Sequence, residues 1–213
     1  MPRLISALTI CFFLLTVTAV ALKADIELPA PQTEGGMSLF EALKKRSSTA
    51  GGDFSTAELT LEELSTVLWA ASGLNRGETG WTVPMAEGLA PYVDIFLAGT
   101  QGVYHYDYKA HKLEEISEEN IKAKVGAQSF VKKASWLLIF VENPEVLSQL
   151  RNKDAGTEFA NVLTGAMTQD IYLVSAALRL GARYIHSMKV DEIKAALGLT
   201  DAQRPIAIMM LGK

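Results

Sequence analysis

The sequence predicts an α+β fold, because segments typical of strands and of helices follow one another without regular alternation. Three apolar segments have the length of buried strands, at residues 92–98, 135–141 and 205–211. Residues 158–180 repeat apolar side chains at the spacing of a long amphipathic helix. About 190 residues follow an N-terminal leader, which is the usual length of a single domain.

The first 24 residues have the order of a secretory signal peptide. Arg3 is a positive start, residues 4–22 carry no charge, and small side chains follow at Ala19 and Ala21. A basic, an apolar and a small-residue region in this order favour export and cleavage, which we expect to place the protein in a bacterial periplasm. The apolar run also approaches the roughly 20 residues that span a bilayer. An uncleaved membrane anchor through residues 4–22 is therefore the alternative.

Residues 25–36 contain two prolines and two glycines, which predicts an extended arm. Ser38 has the position of an N-cap for a helix over residues 39–46, and Glu41 has the position of its capping-box partner. The basic side chains that end this segment suit a helix C-terminus. We expect the domain itself to occupy residues 37–213.

A second helix is predicted to begin after Thr60, with Glu63 at the capping-box position, and to end at Gly73. The following residues, 75–91, contain glycines and two prolines and predict a long loop. Loops of this length in a compact domain are usually functional or mobile.

The centre of the sequence predicts strands. Residues 92–98 and 103–107 have the pattern of a hairpin. Residues 118–125 predict a short helix. Residues 135–141 are apolar almost throughout, which is typical of a central strand that is covered on both faces.

The C-terminal third predicts two helices and a strand. The long helix over residues 158–180 is expected to stop at Gly181. A short amphipathic helix follows over residues 190–197 and ends at Gly198. Residues 205–211 predict a last buried strand.

The composition excludes several kinds of site. The formal net charge is −4, and no run of Lys or Arg is long enough to favour nucleic acid or an acidic membrane surface. Cys11 is the single cysteine and lies in the leader, so the mature protein has no disulfide, thiolate metal site or cysteine nucleophile. The three histidines lack metal-binding spacing, and no G-x-G-x-x-G, Walker or G-x-S-x-G motif occurs.

Three segments are candidates for ligand contact. Residues 44–52 (K-K-R-S-S-T-A-G-G) combine a guanidinium, hydroxyls and exposed backbone N–H groups, which suit a phosphate monoester; the alternative is a solvated helix end. Residues 82–91 combine two prolines with small side chains, which lets a flat ring approach the backbone; the alternative is an ordinary surface loop. Gly165 interrupts the long helix and indicates either close approach of a ligand or another helix, or core packing.

Taken in order, these segments resemble the nitroreductase-like flavoproteins, in particular the SagB/ThcOx-type dehydrogenase branch. The resemblance covers about residues 37–213 and depends on the order and spacing of several segments. They are L-K-K-R-S-S-T, L-T-L-E-E-L-S-T-V-L-W-A-A-S-G-L-N-R, T-V-P-M-A-E-G-L-A-P-Y-V-D-I-F, G-V-Y-H-Y-D-Y-K-A-H-K-L-E, T-G-A-M-T-Q-D-I-Y-L-V-S-A-A-L-R-L-G and the final L-G-K.

The resemblance implies a sandwich with a central, mostly antiparallel sheet flanked by helices, which forms a homodimer with FMN at the subunit interface. Family members oxidise or reduce small molecules through the flavin, and usually no side chain acts as a catalytic base. We therefore expect an exported FMN-dependent oxidoreductase with an unknown small-molecule substrate and electron donor. The positions that match the family's FMN-binding residues are Arg46, Ser47 and Ser48 for the phosphate, Pro84, Met85 and Ala86 for the loop that faces the ring, and Gly165 and Gln169 for the adjoining helix.

The sequence departs from the family pattern at several of these places. Ala50 stands where the family's R-x-S-x-R motif has its second arginine, Met85 replaces the serine of P-S-A, and Glu87 adds a carboxylate. His186 is the nearest counterpart of a frequent arginine. Losing one charge-assisted hydrogen bond removes about 1.5–3 kcal/mol, so we expect weaker FMN binding, a different flavin or loss of the cofactor. A non-enzymatic or cofactor-free binding domain is therefore the alternative function.

Overall fold

A computed structural model describes residues 24–55 and 57–213. The predicted signal peptide, apart from Ala24, lies outside the described residues, so its cleavage remains a prediction. In the described part of the chain, no helix combines the length and hydrophobicity that a membrane crossing requires.

The described residues form helices and strands in an irregular order, together with three short 3-10 segments at Ala86–Gly88, Ser129–Lys133 and Lys153–Ala155. The helices are α1 (Leu39–Lys45), α2 (Leu61–Ser72), α3 (Lys122–Val125), α4 (Pro144–Leu147), α5 (Gly156–Leu178) and α6 (Val190–Leu197). The strands are β1 (Ile26–Glu27), β2 (Leu74–Arg76), β3 (Gly80–Trp81), β4 (Val93–Ala98), β5 (Val103–Asp107), β6 (Lys112–Ser117), β7 (Trp136–Glu142), β8 (Gly181–Ile185) and β9 (Pro205–Gly212).

Seven of these strands form one sheet in the order β1-β6-β5-β4-β7-β9-β8. Each neighbouring pair in this sheet is antiparallel. β7 lies in the middle, between β4 and β9, and its interior is completely buried, as its apolar sequence predicts. The α+β class and the mostly antiparallel central sheet are therefore confirmed.

Helices cover both faces of the sheet, because successive side chains of a strand point to opposite sides. On β7, Leu138 and Phe140 pack into the core beneath α2 and α5. Leu137, Ile139 and Val141 pack into a second core that includes residues of α3 and α6. This arrangement confirms the predicted sandwich.

Capping signals in the sequence locate the helix starts correctly. The Ser38 side chain accepts a hydrogen bond from the Glu41 N–H, and α1 begins at the next residue. Thr60 and Glu63 form the complete capping box of α2. Gly198 ends α6 in the left-handed conformation, with φ of 64°.

Four predictions of secondary structure are wrong. The predicted loop over residues 75–91 contains the β2–β3 hairpin and a 3-10 turn, and the predicted helix over residues 118–125 is helical only over Lys122–Val125. Strands β6 and β8 were not predicted. Gly181 begins β8 instead of stopping α5; Arg179, with φ of 60°, supplies the left-handed C-cap.

The N-terminal arm is bound to the domain by a buried polar cluster. The Ser65 hydroxyl donates to the Pro29 carbonyl at 2.5 Å and lies 2.7 Å from His111 Nε2. The other ring nitrogen of His111 lies 2.9 Å from the Tyr106 hydroxyl. Burial lowers the pKa of His111, so the folded state favours the neutral imidazole.

The pKa of a second histidine in the β5–β6 hairpin, His105, shifts in the opposite direction. His105 lies 3.9 Å from an Asp94 carboxylate oxygen and 3.7 Å from one of Glu114. Burial alone lowers the pKa of His105, but Asp94 and then Glu114 outweigh burial and raise it.

Asp170 on α5 provides a test of the packing of this helix. The carboxyl is partly buried, and burial raises its pKa to about 6. The folded state therefore holds the proton more tightly than the unfolded chain, and stability falls as the pH rises through that range. At about 1.36 kcal/mol per pKa unit, with partial solvent screening, we expect Asp170→Asn to stabilise the fold by roughly 1–2 kcal/mol at pH 7 and by nearly nothing at pH 4.

The measurement is chemical denaturation at the two pH values, with Asp201→Asn on an exposed turn as the control. A gain of equal size at pH 4, or no gain at pH 7, would contradict the assignment of this titration to Asp170.

Candidate functional site

The segment after α1 is fixed to the edge strand β8. Arg46 caps α1 with its backbone N–H on the Ala42 carbonyl, and its φ and ψ of −55° and 124° leave the helical region. Three residues later, the Thr49 N–H donates to the Ala182 carbonyl at 2.9 Å, and the Thr49 hydroxyl accepts from the Ala182 N–H at 3.1 Å. The predicted phosphate-binding residues are therefore held between a helix end and a strand.

Tyr172 on α5 joins this segment to β8. Its ring lies 5.3 Å from the Arg46 guanidinium carbon, and its hydroxyl shares a hydrogen bond of 2.8 Å with the Ser48 hydroxyl. The same hydroxyl accepts the Tyr184 N–H at 2.8 Å. Tyr172 was not among the predicted site residues, although it lies in the segment T-G-A-M-T-Q-D-I-Y-L-V-S-A-A-L-R-L-G on which the family resemblance depends.

A cavity of about 430 Å³ lies on one side of Tyr172. Gly165 and Gln169 line it from α5, and His186 lines it from the residues after β8. A Cβ added to Gly165 would meet no atom within 4 Å, and Gly165 is exposed. Core packing within the described chain therefore does not explain this glycine, and that alternative is wrong.

A smaller cavity of about 270 Å³ lies on the other side of Tyr172. Lys45, Ser47 and Arg179 line it, so it combines two cations with a hydroxyl. The hydroxyl of Ser175 also lines it and is buried without a hydrogen-bond partner among the described residues. Donors of this kind suit an oxyanion.

The cationic side chains at this site differ in whether a carboxylate already neutralises their charge. Arg46 makes no ion pair within the described residues, so its guanidinium is available to a ligand. Lys45 is paired with Glu41 at 2.8 Å on the exposed surface of α1. Arg204, at the rim of the larger cavity, is paired with Glu142 at 2.6 Å and bonded to Asn161 at 2.8 Å.

The predicted proline loop lies elsewhere in the same chain. Pro84, Met85 and Ala86 line neither cavity. The next residue, Glu87, accepts the backbone N–H of Arg151, which precedes the first turn of α5. Tyr172 lies about 24 Å further along that helix, at about 1.5 Å per residue.

The structure thus brings five predicted residues together around Tyr172 and leaves three apart. The five are Arg46, Ser47, Ser48, Gly165 and Gln169. They offer a guanidinium, two hydroxyls and an amide, and no nucleophile paired with a base is among them. Within residues 24–55 and 57–213, no cluster of three or more His, Cys, Asp or Glu side chains is arranged to hold a metal.

Comparison with known proteins agrees with this geometry. The profile of the Nitroreductase family matches residues 43–213. The chain belongs to the nitroreductase family. Its members typically use flavin cofactors, and membership indicates an oxidoreductase.

Relatives of known sequence or structure support the same placement. A nitroreductase homologue of Methanocaldococcus jannaschii is 27% identical over 197 residues, covering 88% of this chain and 96% of that protein. The crystal structure of a nitroreductase homologue from Ralstonia eutropha superposes with a TM-score of 0.81 at 31% identity, covering 89% of both chains. One from Anabaena variabilis superposes at 0.72 with 21% identity and covers 90% of this chain and 42% of the other, which supports the fold alone.

The donor set around Tyr172 suits the planar, phosphorylated cofactor of this family. The smaller cavity offers cations and an unpartnered hydroxyl to a phosphate, and the larger cavity is open above Gly165, where a flat ring has space. The second arginine of the family motif is absent, and Arg183 does not replace it. Arg183 donates to the Thr49 carbonyl and stacks on Phe130, on the opposite face of β8 from Tyr184.

Tyr172→Phe tests whether this hydroxyl fixes the site. The variant keeps the ring under Arg46 but loses the bonds to Ser48 and to the Tyr184 N–H, so we expect amide hydrogen exchange at Tyr184 to become at least about tenfold faster. Tyr108→Phe, whose hydroxyl makes no hydrogen bond among the described residues, is the control. Unchanged exchange at Tyr184 would show that the hydroxyl does not hold β8.

Proposed function

We propose that this nitroreductase-family protein is an exported, FMN-dependent oxidoreductase that acts on a small molecule as a homodimer. The observation that carries the proposal is the placement of Arg46, with no carboxylate partner among the described residues, over the ring of Tyr172. Arg46 lines neither cavity itself, but Tyr172 lines both, and the two cavities differ in character. The smaller cavity suits a phosphate, and the larger suits a planar ring.

Arg46, Ser47 and Ser48 would hold the phosphate, and the helix surface at Gly165 and Gln169 would lie against the ring. Bound FMN supplies two-electron transfer between a donor and the substrate. The chain's own residues bind the phosphate by charge-assisted hydrogen bonds and orient the ring. His186 adds a polar group at the wall of the same cavity.

A homodimer is proposed because a single chain leaves the site in two parts. The proline loop lies towards the N-terminal end of α5, away from Arg46. A second copy can bring its own Pro84, Met85 and Ala86 to the cavity. Large apolar side chains are also exposed near α5 and on α1, with Phe40 83% and Val162 69% accessible. Several large apolar side chains exposed on one short helix, as Leu39, Phe40 and Leu43 are on α1, favour an interface.

Export remains a proposal that depends on the sequence of residues 1–24. A periplasmic enzyme has no pool of reduced nicotinamide, so we propose a membrane-bound or protein electron carrier as the donor. An anchor through residues 4–22 would keep the domain at such a membrane. The SagB/ThcOx-type branch is proposed on the segment order alone.

A cofactor-free binding domain is the second candidate function. Ala50 and Met85 favour it, because each removes a group that the family uses at the flavin. Glu87 favours it less, because its carboxylate lies 3.8 Å from the Arg151 guanidinium and accepts the Arg151 N–H. A flavin absorbance band near stoichiometry in the purified protein would favour the oxidoreductase, and colourless protein that takes up no added FMN would favour the binding domain.

Arg46→Ala is expected to lower FMN affinity by roughly 10- to 150-fold, which corresponds to the loss of about 1.5–3 kcal/mol from a charged hydrogen bond. Lys44→Ala, on the exposed surface of the same helix, is the matched control and should leave the affinity nearly unchanged. Fluorescence titration of apoprotein with FMN measures both. Equal retention of FMN by the two variants would show that the phosphate lies elsewhere.

Phe40→Glu tests the dimer. A buried, unpaired carboxylate at an interface is strongly unfavourable, so we expect the variant to sediment as a monomer and to lose bound flavin together with the second copy. Val190→Glu is the control. Val190 is also an apolar side chain at the surface, 39% accessible, but it lies on α6, on the other face of the sheet. A Phe40→Glu monomer that keeps stoichiometric flavin would exclude a site shared between subunits.

A further inference from the structure

A third cavity, of about 330 Å³, is lined by none of the residues that surround Tyr172. Phe54 and Ala134 line it, and both belong to the core beneath α3 and α6, on the face of the sheet opposite α5. Its remaining walls include Lys122, Lys132 and Lys133. The flavin proposal uses none of these residues.

Lys122 is unusual because its charge is buried without a carboxylate partner within ion-pair distance among the described residues. The residue is 6% exposed, and its ammonium donates to the carbonyls of Ala134 at 2.9 Å and Ser135 at 3.4 Å. An ammonium carries three donors, so one proton has no acceptor among the described residues. No carboxylate of the described chain lies within ion-pair distance of it. Burying such a charge costs free energy unless it is paired.

The rest of the cavity adds positive charge. Lys132 and Lys133 are exposed and make no ion pair within the described residues. Glu58 is the carboxylate that faces these three lysines from the cavity wall. Hydroxyls of Ser55 and Thr100 also line the cavity and are available as donors.

We propose that this cavity binds the oxyanionic group of a small molecule, a phosphate or a carboxylate, with the Lys122 ammonium as its central contact. The ligand would accept the third proton of Lys122 and supply a close counter-charge, which no carboxylate of the described residues supplies within ion-pair distance. Lys132 and Lys133 attract the anion at the opening, and Glu58 opposes them. The inference does not depend on the proposed flavin chemistry, because the site lies on the other face of the sheet.

The protonation of Lys122 links binding to pH. Burial lowers the pKa of Lys122, and the charge of Glu58 partly offsets this. Only the protonated amine binds an anion, so affinity falls as the pH rises through the lowered pKa, and a bound anion raises that pKa again.

The test is a thermal-melting titration of the full protein with inorganic phosphate at constant ionic strength, with acetate in parallel to distinguish the two oxyanions. An Arg46→Ala background weakens binding of phosphate at the proposed flavin site, and the Lys122→Met variant below separates the two sites. With a dissociation constant of about 1 mM, 20 mM anion is expected to raise the melting temperature by roughly 5 °C. A response to either anion that chloride does not reproduce supports the proposal, and no such response overturns it.

Lys122→Met tests whether Lys122 is the residue that contacts the anion. Methionine fills a similar volume without charge, so the variant should lose the anion response while melting at the same or a higher temperature in anion-free buffer. A Lys122→Met protein that keeps the response would overturn the proposal. If that variant fails to fold, the double variant Lys132→Gln/Lys133→Gln decides: we expect at least about fivefold weaker binding, and unchanged affinity would contradict an anion in this cavity.

Discussion

The candidate site depends on the phenol of Tyr172, which holds three separate parts of the chain together. Its ring lies beneath the Arg46 guanidinium, and its hydroxyl joins Ser48 to the backbone of β8 at Tyr184. Because it stands on the long and well-packed helix α5, Tyr172 gives a rigid base to a loop that would otherwise be a solvated helix end. The two cavities lie on either side of this one side chain.

Much of the fold follows from local signals in the sequence. Ser38 and Thr60 mark the starts of α1 and α2, Gly198 marks the end of α6, and continuous apolar residues mark β7 and β9. The missed strands lack such signals. Half of the residues of β6 are charged, and this strand lies next to the edge strand β1. β8 is a short edge strand that follows directly on α5.

The sequence predicts only part of the candidate site. The order of segments predicts the residues that gather around Tyr172, because their spacing along α1 and α5 preserves their placement. Ser175 and Arg179 could not be identified from the sequence. The role of Ser175 depends on the burial of its hydroxyl, and that of Arg179 on its left-handed backbone, and no local sequence pattern predicts either. The proline loop is predicted at a site that it does not reach within one chain, because the sequence does not show how segments far apart along the chain are placed relative to one another.

Two histidines in the β5–β6 hairpin respond to acidity in opposite directions. His111, whose pKa is lowered, stabilises the fold only while it is neutral, so its contribution is lost as the pH falls below its usual range. His105 lies between Asp94 and Glu114, and these carboxylates raise its pKa. It stabilises the fold only while it is charged, so its contribution is lost as the pH rises. Both contributions are therefore present together only near the ordinary pKa of histidine, and acid and alkali each remove a different one of the two.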